Sequence, residues 1–222
     1  MPLKQLETER LFYDKYMYKV CIHLPIATIF REKRYDFARS VLDDLHHQLE
    51  NTGEIFWKRG WRLSAPLNID VLKDAQLLYT LLTKHDFDSY KLRVEQSQLC
   101  YYTNDIKNVE SLLVHFDKRI ESVHMPNSDT IKDLKPNVII KDSDWEYKVT
   151  VGPKVDPSLA DWFENNKDKV KAGKTFIECI RSGHYVRGFY FYAKNEKVLQ
   201  LINIVLAGNI VRVDKFINKA QS

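Results

Sequence analysis

The spacing of apolar side chains predicts strands and helices in alternation from end to end. Residues 16–24 (YMYKVCIHL) alternate, are rich in aromatic and β-branched types and stop at Pro25, which predicts a strand. Residues 30–50 predict a helix, because Phe37, Val41, Leu45 and Leu49 recur every four positions and Asn51-Thr-Gly53 ends the pattern. Residues 54–63 (EIFWKRGWRL) read as an irregular strand or a loop packed by its aromatics. A second helix, over 70–86, carries Leu72, Ala75, Leu78, Tyr79 and Leu82 on one face, with Asn68 as N-cap. Residues 90–95 and 98–102 predict a hairpin about Gln96-Ser97, followed by a helix over 106–116 and a strand over 119–124. The charged residues 1–14 predict a short helix or arm.

Residues 125–144 carry the Pro, Asn, Ser and Asp of a connector, with a brief strand at 138–141. The pattern then restarts at 145–151 (WEYKVTV), a strand whose Tyr147-Lys-Val149 echoes Tyr18-Lys-Val20. Asp156-Pro157 suits the start of a helix, expected to run to about Lys171 and stop at Gly173. A short helix over 174–182 ends at Gly183; a strand over 185–194, a helix over 196–206, a strand over 209–214 and a helical tail to Ser222 complete the chain.

Residues 99–123 and 189–213 match as two copies of one unit, 90 positions apart. Tyr102 falls on Tyr192, Leu112 on Ile202, Phe116 on Leu206, Ile120 on Ile210 and Val123 on Val213. Each half therefore reads strand, helix, helix, strand, helix, strand. The expected class is α+β: two tandem ferredoxin-like units, each an antiparallel sheet with helices on one face. Residues 1–125 form the first unit, 126–144 the connector and 145–222 the second unit.

Composition narrows the function classes only slightly. The formal charge of +4 permits a polyanionic partner without requiring one. The three cysteines, Cys21, Cys100 and Cys179, are far apart in apolar surroundings, which predicts buried free thiols and not a disulfide frame. No apolar run reaches the ~18 residues of a membrane span, and the first residues lack a signal-peptide core. The expectation is a cytoplasmic protein without a membrane partner.

Candidate chemistry concentrates in two aromatic stretches. In Arg187-Gly-Phe-Tyr-Phe-Tyr192, a cation precedes alternating rings. Phe56-Trp57-Lys58-Arg59-Gly60-Trp61-Arg62 interleaves two tryptophans with cations. Such a mixture suits base stacking with phosphate contacts, cation–π packing within the protein, or a protein-binding hot spot. Asp86-x-Asp88 and Asp142-x-Asp144 read as turn acids. Asp105 and Asn195, at matched strand-to-helix turns, read as helix caps. His46-His47 are neighbours on a helix and point in different directions, so they do not chelate one metal together. The chain has no phosphate-binding Gly-Lys-Ser/Thr loop, nucleophile elbow or zinc motif. The expectation is a non-enzymatic protein without a cofactor or metal.

The stretch from Arg187 to Tyr192 resembles the third-strand signature of the RNA recognition motif, with Tyr190 standing where that family has a small residue and Lys194 where it has its last aromatic. The resemblance implies that Phe189 and Phe191 face outward to stack bases while Arg187 holds a phosphate. The Tyr-Lys-Val strand, the Tyr102-Thr-Asn-Asp105 turn and the closing apolar helix resemble small proteins encoded by tailed phages of marine bacteria. That resemblance implies a virus-encoded accessory protein in the host cytoplasm. The expected function is binding of single-stranded RNA or DNA through Arg187, Phe189, Phe191 and Lys194, together with Trp57, Lys58, Arg59, Trp61 and Arg62. The alternative is a protein-interaction or assembly module of a phage, without nucleic-acid contact.

Overall fold

A computed structural model describes residues 4–58, 65–206 and 208–219. The chain divides into two units, Met1–Thr8 with Lys15–Pro126 and Glu9–Asp14 with Asn127–Ser222. Each contains a five-stranded mixed sheet with helices packed on one face, so the α+β class and the two tandem units hold. The expected connector is part of the second unit, where Ile139 and Ile140 are buried.

The first unit runs β1 (Lys4–Glu7), β2 (Tyr18–His23), α1 (Tyr35–Thr52), β3 (Phe56–Trp57), β4 (Ala65–Pro66), α2 (Ile69–Lys84), β5 (Tyr90–Glu95), β6 (Gln98–Thr103), α3 (Ile106–His115) and β7 (Ile120–Met125). Its sheet order is β1-β7-β2-β6-β5. Residues 4–7 are a strand and not the expected helix or arm. They pair in parallel with β7 and supply partners for its outer backbone edge, which makes the sheet mixed. The first helix starts at Tyr35, because Ala27–Lys33 forms tighter 3-10 turns interrupted by non-helical Arg31 and Glu32, the latter at φ 58°. Its buried face is Ala38, Leu42 and Leu45, while Phe37, placed on that face by the four-residue spacing, is 54% exposed. Gly53 ends the helix in the left-handed region at φ 74°, a geometry that costs a residue without Cβ little. Asn68 caps α2 as expected, accepting from the Asp70 N–H at 2.8 Å.

The second unit runs β8 (Val138–Ile140), β9 (Tyr147–Val151), α4 (Leu159–Asn165), β10 (Val170–Ala172), α5 (Lys174–Arg181), β11 (Tyr190–Ala193), α6 (Glu196–Leu206) and β12 (Ile210–Ile217). Its order is β10-β11-β9-β12-β8. The helix expected to reach Lys171 stops at Asn165. The Asn166 carbonyl accepts from the Lys169 and Val170 N–H groups, closing a turn, and Val170 then enters the sheet opposite Ala193. Asn is a weak helix former, and a buried strand position for Val170 outweighs its helical alternative. The strand β11 is shorter than the expected 185–194, because Gly188 turns the chain at φ 87° and Phe189 N–H donates to the Val186 carbonyl. Of the expected helical tail, Lys215–Ile217 continues β12 and pairs in parallel with β8, and residues 220–222 lie outside the described residues.

The two sheets share one wiring and one register. Without its parallel edge strand, each sheet places its fourth strand beside the first, the first beside the third, and the third beside the second. In the first unit Tyr18, Lys19 and Val20 lie opposite Thr103, Tyr102 and Tyr101. In the second, Tyr147, Lys148 and Val149 lie opposite Ala193, Tyr192 and Phe191. Val20 also meets Val123, and Val149 meets Val213. Helices α3 and α6 start 90 positions apart, as do β7 and β12. The duplication read in the sequence is thus a duplication of hydrogen-bond register.

Candidate functional site

Along β11 the side chains alternate between the helices and the outward face of the sheet. Phe191 points to the helices and is fully buried, its ring 4.9 Å from Phe163 and 6.1 Å from Phe176. Phe189 lies on the same side, half-buried and stacked on Phe176 at 5.7 Å. This overturns the expectation that these two rings stack bases on the outward face. The physical reason is the chemistry of the strand itself: two phenylalanines alternate with two tyrosines, and the phenyl set takes the dry side. The tyrosines keep their hydroxyls toward water.

The outward pair is Tyr190, 44% exposed, and Tyr192, half-buried, with rings 5.6 Å apart at 72°. Lys148 on β9 holds its Nζ 4.0 Å from the centre of the Tyr190 ring. Register places Tyr192 between Lys148 on one side and Lys171 of β10 on the other. The matched row in the first unit is Lys19, Tyr102 and Lys91. There the tyrosine is buried, with 4% of its surface exposed, so the open version of the row belongs to the second sheet. Burial, and then the neighbouring Tyr190, raises the Tyr192 hydroxyl above its ordinary pKa, which keeps that ring a neutral donor near pH 7.

Beside this row a groove of about 590 Å³ runs along the β10 edge, lined by Lys171, Phe176, Arg187, Phe189, Tyr190 and Tyr192 among others. Gly188, at φ 87°, turns the chain just before β11 and is part of the groove's lining. Arg187 is exposed at its lining, as the sequence suggested for a phosphate contact, and Phe189 contributes an apolar wall. None of the groove's described lining residues is acidic. Ring faces, a phenyl wall and two cations are the combination of groups that suits flat, negatively charged ligands.

The other expected site residues lie elsewhere. Lys194, just past β11, packs over Trp145 with Nζ 5.4 Å from the ring centre and donates to the Asp144 carbonyl. Trp57 belongs to the first unit, where it is half-buried against the core and its indole N–H has no partner among the described residues. Lys58 is exposed. Arg59, Trp61 and Arg62 lie outside the described residues. Asp86 accepts from Asp88 N–H within a turn, as expected, whereas Asp142 accepts from the Lys219 N–H 77 positions away and ties two distant segments together. Asp105 accepts from Lys107 N–H and Asn195 from Val198 N–H, the capping roles read for them. Among the described residues no cluster of three or more His, Cys, Asp or Glu side chains is arranged to hold a metal, and no helix is long and apolar enough to cross a membrane.

Sequence reasoning missed Tyr190, Tyr192, Lys148 and Lys171. The signal was present in the alternation of Phe with Tyr and in the Lys of the repeated Tyr-Lys-Val. No protein-family model, curated protein or solved structure matches the chain.

Proposed function

We propose that the second unit binds single-stranded nucleic acid on the outward face of its sheet, with Tyr190 as the stacking platform. The observation that carries this reading is the exposed Tyr190 ring, set against Lys148 at 4.0 Å and opening onto a groove that contains Lys171 and Arg187. A base stacks on Tyr190, and Tyr192 offers a second ring partly covered by its neighbours. Phosphates meet Lys171, Lys148 and Arg187. Stacking on an aromatic ring contributes roughly 1–3 kcal/mol per base and tolerates any sequence, because every base has a π-face.

The strand order supports reading each unit as a ferredoxin-like fold of the RNA-recognition-motif kind, with outward rings displaced by one residue from that family's pattern. The role is binding and not catalysis. A virus-encoded accessory protein working in the host cytoplasm fits the resemblance of the sequence to small phage proteins. The test is a fluorescence-anisotropy titration of labelled single-stranded DNA and RNA with the full chain at several salt concentrations. With three cations engaged, log affinity should fall against log salt with a slope of about −2. Absence of binding to every oligonucleotide at low salt ends the proposal.

A further inference from the structure

The first sheet holds a feature the binding reading does not use. Cys21 on β2 and Cys100 on β6, 79 positions apart, are directly opposed, with Sγ atoms 2.6 Å apart. The ladder explains the closeness. Leu24 N–H donates to the Ser97 carbonyl directly across from it. Hydrogen-bonded pairs alternate along an antiparallel ladder, so Cys21 and Cys100, three steps back, occupy a non-hydrogen-bonded position. Opposed Cα atoms there stand about 4.5 Å apart, within the range a disulfide spans without backbone movement. Both thiols sit on the face away from the helices and outside the main apolar cluster. Both are buried free thiols, as the sequence predicts, and the pairing of β2 with β6 sets them face to face.

We propose that Cys21 and Cys100 form a reversible thiol–disulfide pair whose oxidant is hydrogen peroxide. Cys21 is the attacking sulfur. The Cys100 thiol donates toward it, with the Lys19 ammonium and the Ser122 hydroxyl on the same side, and together they hold Cys21 below the ordinary thiol range against the opposing effect of burial. The same contact, with burial, pushes Cys100 up and keeps it protonated. A recess of about 140 Å³ lined by Lys19, Arg93, Glu95, Gln98, Cys100 and Tyr102 lies beside the pair, room for an oxidant as small as peroxide.

The Cys21 thiolate attacks one peroxide oxygen, the O–O bond breaks and hydroxide leaves, giving a sulfenic acid. Cys100 then loses its proton and attacks the Cys21 sulfur. The S–O bond breaks, and the departing hydroxide takes that proton as water. Two thiols and one peroxide become one disulfide and two waters once the first hydroxide is protonated.

In the test, the full chain is reduced, freed of reductant, treated with a small excess of hydrogen peroxide and alkylated in denaturant. Peptides are then mapped by mass spectrometry without reduction. The expected result is loss of two of the three alkylation sites, one Cys21–Cys100 linked peptide, and full reversal by dithiothreitol. Cys179 is the internal control: it is half-exposed, so indiscriminate oxidation reaches it first. Oxidation of Cys179 ahead of the pair, linkage through Cys179, or alkylation of all three thiols overturns the proposal. In Cys100→Ser, checked for folding by circular dichroism, dimedone should trap the Cys21 sulfenic acid. A folded variant without that adduct overturns the assigned order of attack, and the linked wild-type peptide tests the pair even if the variant does not fold.

Discussion

Replacing Phe191 and Tyr190 separately by alanine distinguishes the buried from the outward face of one strand. Phe191 has no exposed surface and contacts two other rings, Phe163 at 4.9 Å and Phe176 at 6.1 Å. Burying a phenyl ring is worth ~1.5–3 kcal/mol relative to leaving it in water. Each favourable ring pair adds ~0.5–1.5 kcal/mol. The void left behind brings Phe→Ala to about 3–5 kcal/mol. Tyr190 is 44% exposed and makes one ring contact and one cation–π contact at the surface, so its removal should cost under ~1 kcal/mol of stability. Binding should respond in the opposite order. Loss of one stacking platform, ~1–3 kcal/mol, weakens an oligonucleotide about 5- to 150-fold in Tyr190→Ala. The assay is urea denaturation with hydrogen exchange read on peptides of the second unit, alongside anisotropy titration of each variant. A Phe191→Ala protein that keeps its stability within ~1 kcal/mol but loses binding would falsify the assignment of faces.

Three further outcomes follow from the structure. Burial lowers the pKa of His85, whose Nδ1 lies 3.0 Å from the Tyr101 hydroxyl, and burial followed by Lys19 and Lys4 lowers that of His124. A histidine harder to protonate when folded leaves the unfolded chain holding more protons. Stability should therefore be full above about pH 6.5 and decline as pH falls from there toward the lower folded-state values, and a melting series should show a smaller decline in His85→Gln. Arg212 forks onto Asp14 and bonds Asp214, both at 2.6 Å, and Asp214 is only 2% exposed; Arg212→Ala should cost ~3 kcal/mol by leaving that carboxylate buried alone, while Asp14→Ala costs less in the same denaturation assay. Asn68→Ala removes the cap on Asp70 N–H and should cost about 1 kcal/mol, read from the urea midpoint.

The duplication was legible because it rests on local signals: apolar spacing in α3 and α6, and a Tyr-Lys-Val strand whose alternation fixes register. The hairpin at Gln96 was equally legible, since two strands joined by two residues leave few arrangements. What the sequence concealed was tertiary. A strand of only three residues, Val170–Ala172, carries too few positions to reveal a period of two beside a preceding helix. The edge strand β1 exists because β7 has an unfilled edge, a fact about the sheet and not about Lys4–Glu7. The orientation of β11 was misread by following a family's spacing when the Phe and Tyr alternation pointed the other way. Cys21 and Cys100 meet only through the pairing of β2 with β6, which no spacing between them announces.

The most direct test of the binding surface is ultraviolet cross-linking of an oligothymidine to the full chain, followed by mapping of the adduct. The account predicts attachment within Tyr190–Ala193, weakened in Tyr190→Ala and suppressed by salt. Efficient binding with attachment confined to the first unit would contradict it.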